Sequence, residues 1–182
     1  MRRVIEEYGR IGIVLDVTYR PITLSGTDAE QLMSQTRARL ASARVAGFEL
    51  VHVLTGADLT LDGDQVAGEA HCIGGIRDAK YYFAMSISVT TYYESLRAFL
   101  PGGVNKTYFT GGPAIVAAHE IGHVLGALHQ HGNCAENARS ALAANEATIC
   151  TVMDATLGFS KLRFGRVERA VIRGYAIRYG SH

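Results

Sequence analysis

The chain has 182 residues, 48% of them apolar and 19% charged, with Lys+Arg 18 against Asp+Glu 17 and a formal net charge of +1. That apolar content excludes a disordered tail, and the balanced charge leaves no global electrostatic case for a nucleic-acid binder. No uninterrupted apolar run reaches the ~18 residues a membrane span needs. Twenty Gly against three Pro, with no Gly-X-Y period, and a length near the prior of about 150 residues per domain indicate one turn-rich globular domain, 1–182.

The chain opens on Met1-Arg2-Arg3, but Glu6-Glu7 follow at once and no apolar signal-peptide core appears. Residues 2–8 read as one or two helical turns ended by Gly9. Residues 11–19, rich in Ile, Val, Leu and Thr and closed by Arg20-Pro21, read as a buried strand. Thr27 with Glu30 three residues later is a capping box, which predicts a helix over 28–45 stopped by Gly47. Strands follow at 48–54, 66–73 and 81–89, with a polar turn at 58–63 between the first two. Residues 92–100 have helical spacing before Pro101 breaks it. Pro113 suits a first helical turn, and 114–125, apolar on every side, predicts a buried helix ended by Gly126. Weak helical character returns around 135–145, and Ser160 is placed to cap a last helix running to about residue 173. No linker, repeat or low-complexity segment divides this α+β order.

The chemistry concentrates in His119-Glu120-Ile-Gly-His123-Val-Leu-Gly126-Ala-Leu-His129. His119 and His123, four apart in a helix, share one face. Glu120 is offset by about 100°, close enough to address a ligand on the same metal without binding it. Gly126 lets the backbone leave the helix through positive φ, so that His129 can return as a third ligand. Three imidazoles in an otherwise apolar helix are costly as mere packing, since unpartnered polar rings lose several kcal/mol on burial. One catalytic Zn²⁺ is the cofactor this spacing points to.

These residues resemble the extended zinc motif of the metzincin metallopeptidases, H-E-x-x-H-x-x-G-x-x-H, and Met153 resembles the methionine of that clan's downstream turn. Within the clan the chain is similar to the reprolysin-like (adamalysin-like) branch, loosely but over nearly its whole length. The resemblance implies a metzincin-type zincin fold, mixed α/β. A twisted, mostly parallel sheet with an antiparallel edge strand would lie over the active-site helix, in an N-terminal subdomain of about 1–128. A small C-terminal subdomain, about 129–182, would carry the methionine turn and the final helix. It implies a zinc endopeptidase with His119, His123 and His129 as ligands, Glu120 as general base and Met153 as an apolar floor. A protein or peptide substrate would lie extended along Gly68, Glu69, Ala70 and His71. Val116, Thr156 and Leu157 are candidates for the specificity pocket.

Two positions depart from the pattern: Gln130 stands where reprolysins usually have Asp, and Ala155 replaces the tyrosine ligand of astacin-like and serralysin-like relatives. The second favours a three-histidine site. The resemblance also implies secretion, a Cys134–Cys150 disulfide and a chain short at its N-terminus, lacking the first strand, most of the first helix, the propeptide and the signal peptide. Cys72, without its usual partner, is expected to be a free thiol. A rival reading is a catalytically inactive zinc- or peptide-binding module, or a truncated gene fragment; retention of Glu120 argues against degeneracy. Outside the motif, His52, His71 and His131 are expected to be structural or neighbouring histidines. The arginines at 163, 166, 169, 173 and 178 read as the solvated face of a helix.

Overall fold

The computed structural model describes residues 1–43, 46–88, 112–129, 151–154 and 162–180. The elements that hold the site are a three-stranded sheet and two helices packed on it. In chain order, helices α1 (Arg2–Arg10) and α2 (Ala29–Arg39) come first, strands β1 (Val51–Thr55), β2 (Leu59–Leu61), β3 (Asp64–Val66), β4 (Gly68–Ala70) and β5 (Phe83–Ile87) follow, and helices α3 (Gly112–Val124) and α4 (Arg166–Tyr179) come last among the described residues. The main sheet has the order β1-β5-β4. β1 runs parallel to β5, with Val51 opposite Phe83, and β4 runs antiparallel to it, with Gly68 opposite Ser86. This is the mixed α+β architecture with an antiparallel edge strand that a metzincin-type fold requires. No helix among the described residues is long and apolar enough to cross a membrane.

β5 is buried at all five positions because it is the central strand, covered on both faces, so its Phe-Ala-Met-Ser-Ile run does not alternate. Phe83, Met85 and Ile87 share a cluster with Leu32 and Met33 of α2, while Ala84 belongs to the cluster built by α1, α3 and Ile172. β2 and β3 form a separate hairpin. Its turn residues Asp62 and Gly63 have φ of 53° and 89°, the mirror-image turn that Asp-Gly favours between two strands.

Several boundaries move from the sequence expectation. The strand expected at 11–19 joins no ladder among the described residues. Its alternation is real, with Ile11 buried and Ile13 and Leu15 packed on the core while Val14 is 93% exposed. The period of two thus reports which side chains turn inward, not strand pairing. The first helix runs through Gly9 to Arg10. Gly12, at φ 78°, terminates it: its N–H donates to Gly9 O and that of Ile13 to Tyr8 O. α2 ends at Arg39 rather than near 45, with Leu40 as its C-cap and the Leu40 N–H donating to Thr36 O. Its cap is Asp28, whose carboxylate accepts from Gln31 N–H at 2.7 Å, not Thr27. The 66–73 strand divides at Ala67 between the hairpin and the main sheet. α4 begins after Gly165, not near Ser160, and extends to Tyr179. The segments 92–100 and 135–145, together with Cys134, Cys150, Gln130, His131, Ala155, Thr156, Leu157 and Ser160, lie outside the described residues. Val116 is buried in the α2-side cluster.

His52, on β1, has both ring nitrogens buried with no hydrogen-bond partner among the described residues. Burial, aided by the charge of the Met1 amino terminus, pulls its pKa down to about 4. The unfolded chain would take up this proton near 6.5, whereas the fold keeps the ring neutral until about 4. Stability is therefore present above the unfolded pKa and lost as pH falls through that window, by about 3 kcal/mol at full extent. Denaturant unfolding of the metal-free protein at pH 7 and 4.5 checks this. His52→Leu is expected to lose distinctly less stability between the two pH values than the wild type; equal losses would remove His52 as the cause.

Candidate metal centre

α3 delivers His119 and His123 to one face, as their spacing predicts. The chain then turns in a Schellman motif: Gly126 N–H donates to His123 O at 2.8 Å and Ala127 N–H to Gly122 O at 2.9 Å, with Gly126 at φ 88°. That reversal brings His129 back against the helix. The three Nε2 atoms converge: 2.9 Å separates His119 from His123, and His129 lies 3.1 Å from each.

Hydrogen bonding on the far side of two rings explains why these contacts are not hydrogen bonds of an ordinary cluster. His119 Nδ1 lies 2.8 Å from Val152 O, and His123 Nδ1 lies 2.7 Å from Ala127 O. A carbonyl only accepts, so in each neutral ring the proton sits on Nδ1 and Nε2 presents a lone pair. At least two lone pairs thus face each other at about 3 Å, an arrangement that a shared cation satisfies. Burial is the main cause that holds both rings neutral, with mutual repulsion adding to it. His119 is pulled down to about 4 by burial and by His123 and His129, against the opposing bond to Val152 O; His123 is lowered by burial and His129 against its bond to Ala127 O. His119, His123 and His129 together can hold one metal ion. Metal–nitrogen bonds of about 2.1 Å reach all three from one point, and outer carbonyls that fix the tautomer are the usual support of ligating histidines.

Glu120 is buried beside them, directly beneath the edge strand. A Cβ on Gly68 would stand 2.7 Å from Glu120 Cγ and Oε1 and 2.9 Å from Met85 O, so only glycine fits there. Burial, with Glu69 second, raises the Glu120 carboxyl well above the usual carboxylate range. Gly68, Glu69 and Ala70 form β4, and His71 N–H extends the ladder by donating to Phe83 O at 3.0 Å. Met153 is fully buried, and its sulfur packs where a Cβ on Gly122 would be 2.7 Å away.

Several residues that support the site carry no signal in the sequence pattern. The Tyr175 ring of α4 lies against both Gly126 and Gly74, within 2.5–2.9 Å of a Cβ placed on either. Gly74 N–H in turn donates to His123 O at 2.7 Å. Tyr8 donates to Ala118 O at 3.0 Å, and the buried Glu7 accepts from Phe164 N–H at 3.2 Å, tying α1 to both α3 and the chain before α4. Cys72 is a free thiol.

The sequence model of metallo-peptidase family M12B, reprolysin-like, matches residues 10–130. The chain belongs to this family. The match takes in the edge strand, α3 and all three histidines of the reprolysin-like motif and stops just past His129, short of Met153 and α4. The comparison with curated proteins returned no match. Membership makes this reprolysin-like chain a metallopeptidase by family, and its triad fits the metzincin zinc motif.

Proposed function

We propose that this protein is a zinc-dependent endopeptidase that cleaves peptide bonds of a substrate laid along β4. The observation that carries this reading is the convergence of three Nε2 atoms within 3.1 Å, beside a buried carboxyl under a sheet edge that is unpaired among the described residues. Zinc, when bound by His119, His123 and His129, would supply a Lewis acid and an acidified water. The residues of the chain do the rest. Val152 O and Ala127 O hold two imidazoles in the tautomer that offers Nε2. Glu120 Oε1 or Oε2 takes a proton from the attacking water and returns it to the leaving amine. β4 has an unpaired outer edge among the described residues, so its backbone groups can hydrogen-bond an extended peptide in antiparallel register. Gly68, without a side chain, keeps that edge close to Glu120. Met153 serves as an apolar floor against α3. Secretion belongs to the same reading, supported by family membership, and so does the Cys134–Cys150 bridge, whose residues lie beyond the family match. So does the division into subdomains of about 1–128 and 129–182.

The test measures zinc per chain after chelator-free purification, and hydrolysis of a quenched peptide before chelation, after it, and after zinc is restored. One zinc per chain and activity that follows the metal are expected. Zinc bound at one per chain without any cleavage would leave the inactive binding module as the better reading. A chain that takes up less than about half a zinc would overturn the site itself.

A further inference from the structure

Four arginines that read in the sequence as a dispersed solvated face are in fact gathered around one concavity. Arg163, Arg166, Arg169 and Arg173, with Phe164 and Gly165, line a cavity of about 510 Å³ at the start of α4. Positions 166, 169 and 173 fall on one helical stripe, about 120° round the helix from the stripe of Ile172, Tyr175 and Tyr179 that packs on the core. No ion pair joins any of these four guanidinium groups to a carboxylate among the described residues. The nearest acid in sequence, Glu168, is already engaged, accepting from Thr151 Oγ1 at 2.6 Å and from the N–H of Gly165, a residue that lines the cavity. Arg169, an exposed residue, is anchored at its Nε–H, which donates to Phe164 O at 2.8 Å.

Four guanidinium groups around two carboxylates that are already engaged, Glu7 on Phe164 N–H and Glu168 on Gly165 N–H, leave a surplus of positive charge that an anion would offset, and guanidinium groups suit the planar, paired recognition of phosphate and sulfate oxygens. Arg166 and Arg173 are seven residues apart, about 10 Å along the helix. A single tetrahedral anion is too small to engage both ends of that stripe. We propose that this cavity is a binding site for a polyanion bearing two or more phosphate or sulfate groups. The site adjoins the candidate metal centre without sharing a residue with it: Val152 N–H donates to Arg163 O at 3.0 Å, while Val152 O faces His119.

Calorimetric titration of the zinc-loaded full chain, at fixed ionic strength, tests the assignment with inorganic phosphate, tripolyphosphate, a heparin-type sulfated hexasaccharide and hexaglutamate. Tripolyphosphate and the sulfated hexasaccharide, each with several anionic groups, are expected to bind about tenfold tighter than inorganic phosphate, the increment one further charged hydrogen-bonding pair supplies. Stronger binding of the sulfated sugar identifies a glycan source, and stronger binding of tripolyphosphate a soluble phosphate source. Arg166→Gln/Arg173→Gln should weaken both about tenfold with zinc content and circular dichroism unchanged. Arg178→Gln, on the same helix but outside the cavity, should leave both intact. The proposal is overturned if tripolyphosphate and the sugar bind no better than phosphate, if hexaglutamate matches them, or if Arg178→Gln weakens binding as much as the double substitution.

Discussion

Glu120→Gln is expected to lower kcat/KM for a peptide by about 10³-fold while the zinc content stays at the wild-type level. The magnitude is that of a positioned general base, whose removal ordinarily costs about 10²–10⁴-fold. The zinc content should hold because the three imidazoles, not this carboxyl, converge on one point, and because the amide keeps the shape of the side chain in a tight place. That tightness supplies an independent arm. Gly68→Ala leaves the carboxyl in the chain but puts a methyl 2.7 Å from its Cγ and Oε1, with Met85 O at 2.9 Å blocking retreat. The carboxyl must move, and the edge strand with it. An intermediate loss is expected for Gly68→Ala, read from the same kcat/KM measurements with zinc assayed in parallel. A Glu120→Gln protein that cleaves at wild-type rates would remove Glu120 from the chemistry.

The parts of this fold that were legible in the sequence are those fixed by short-range periodicity. Histidines four apart, a carboxyl one residue on and a glycine three after the second histidine specify a helix face, an offset and an exit. α3 takes that form. The central strand β5 was legible because a strand covered on both faces needs an unbroken apolar run. What was not legible depends on residues that meet only through the fold. Tyr8 and Ala118 are 110 apart, and Glu7 and Phe164 are 157 apart, yet these bonds dock α1 and the chain entering α4 on the core. No local pattern reports such a partner. Residues 11–19 failed for a related reason: alternation records which way side chains turn, whereas a strand also needs a neighbour for its backbone groups. The arginines of α4 were visible one by one. Only the placement of Arg163 beside the helix made them a lined cavity.

Gly126 joins the legible and illegible parts, and Gly126→Ala is expected to cost about 2–5 kcal/mol of stability together with about 10–100-fold in zinc affinity. Two separate penalties combine. At φ 88° an L side chain crowds its own backbone, which costs about 1–2 kcal/mol. The new methyl would also lie 2.5 Å from Cε2 and 2.6 Å from Cδ2 of Tyr175, and overpacking of that kind typically adds about 1–3 kcal/mol. Zinc affinity should fall because the same turn aims the ligands. Ala127, whose O holds His123 Nδ1, is the next residue, and His129 follows two further on. Disturbing such outer partners of a ligating histidine ordinarily weakens a site about 10–100-fold. Tyr175→Ala separates the two penalties. In the Gly126→Ala/Tyr175→Ala protein the overlap is gone but the positive φ remains, so denaturant unfolding should show a loss smaller than the sum of the single losses, with a coupling of about 1–3 kcal/mol. Competition titration with a zinc-binding dye reads the affinity in parallel. Additive single losses would mean that the Tyr175 ring does not press on the turn. An unchanged zinc affinity in Gly126→Ala would mean that the turn does not aim His129.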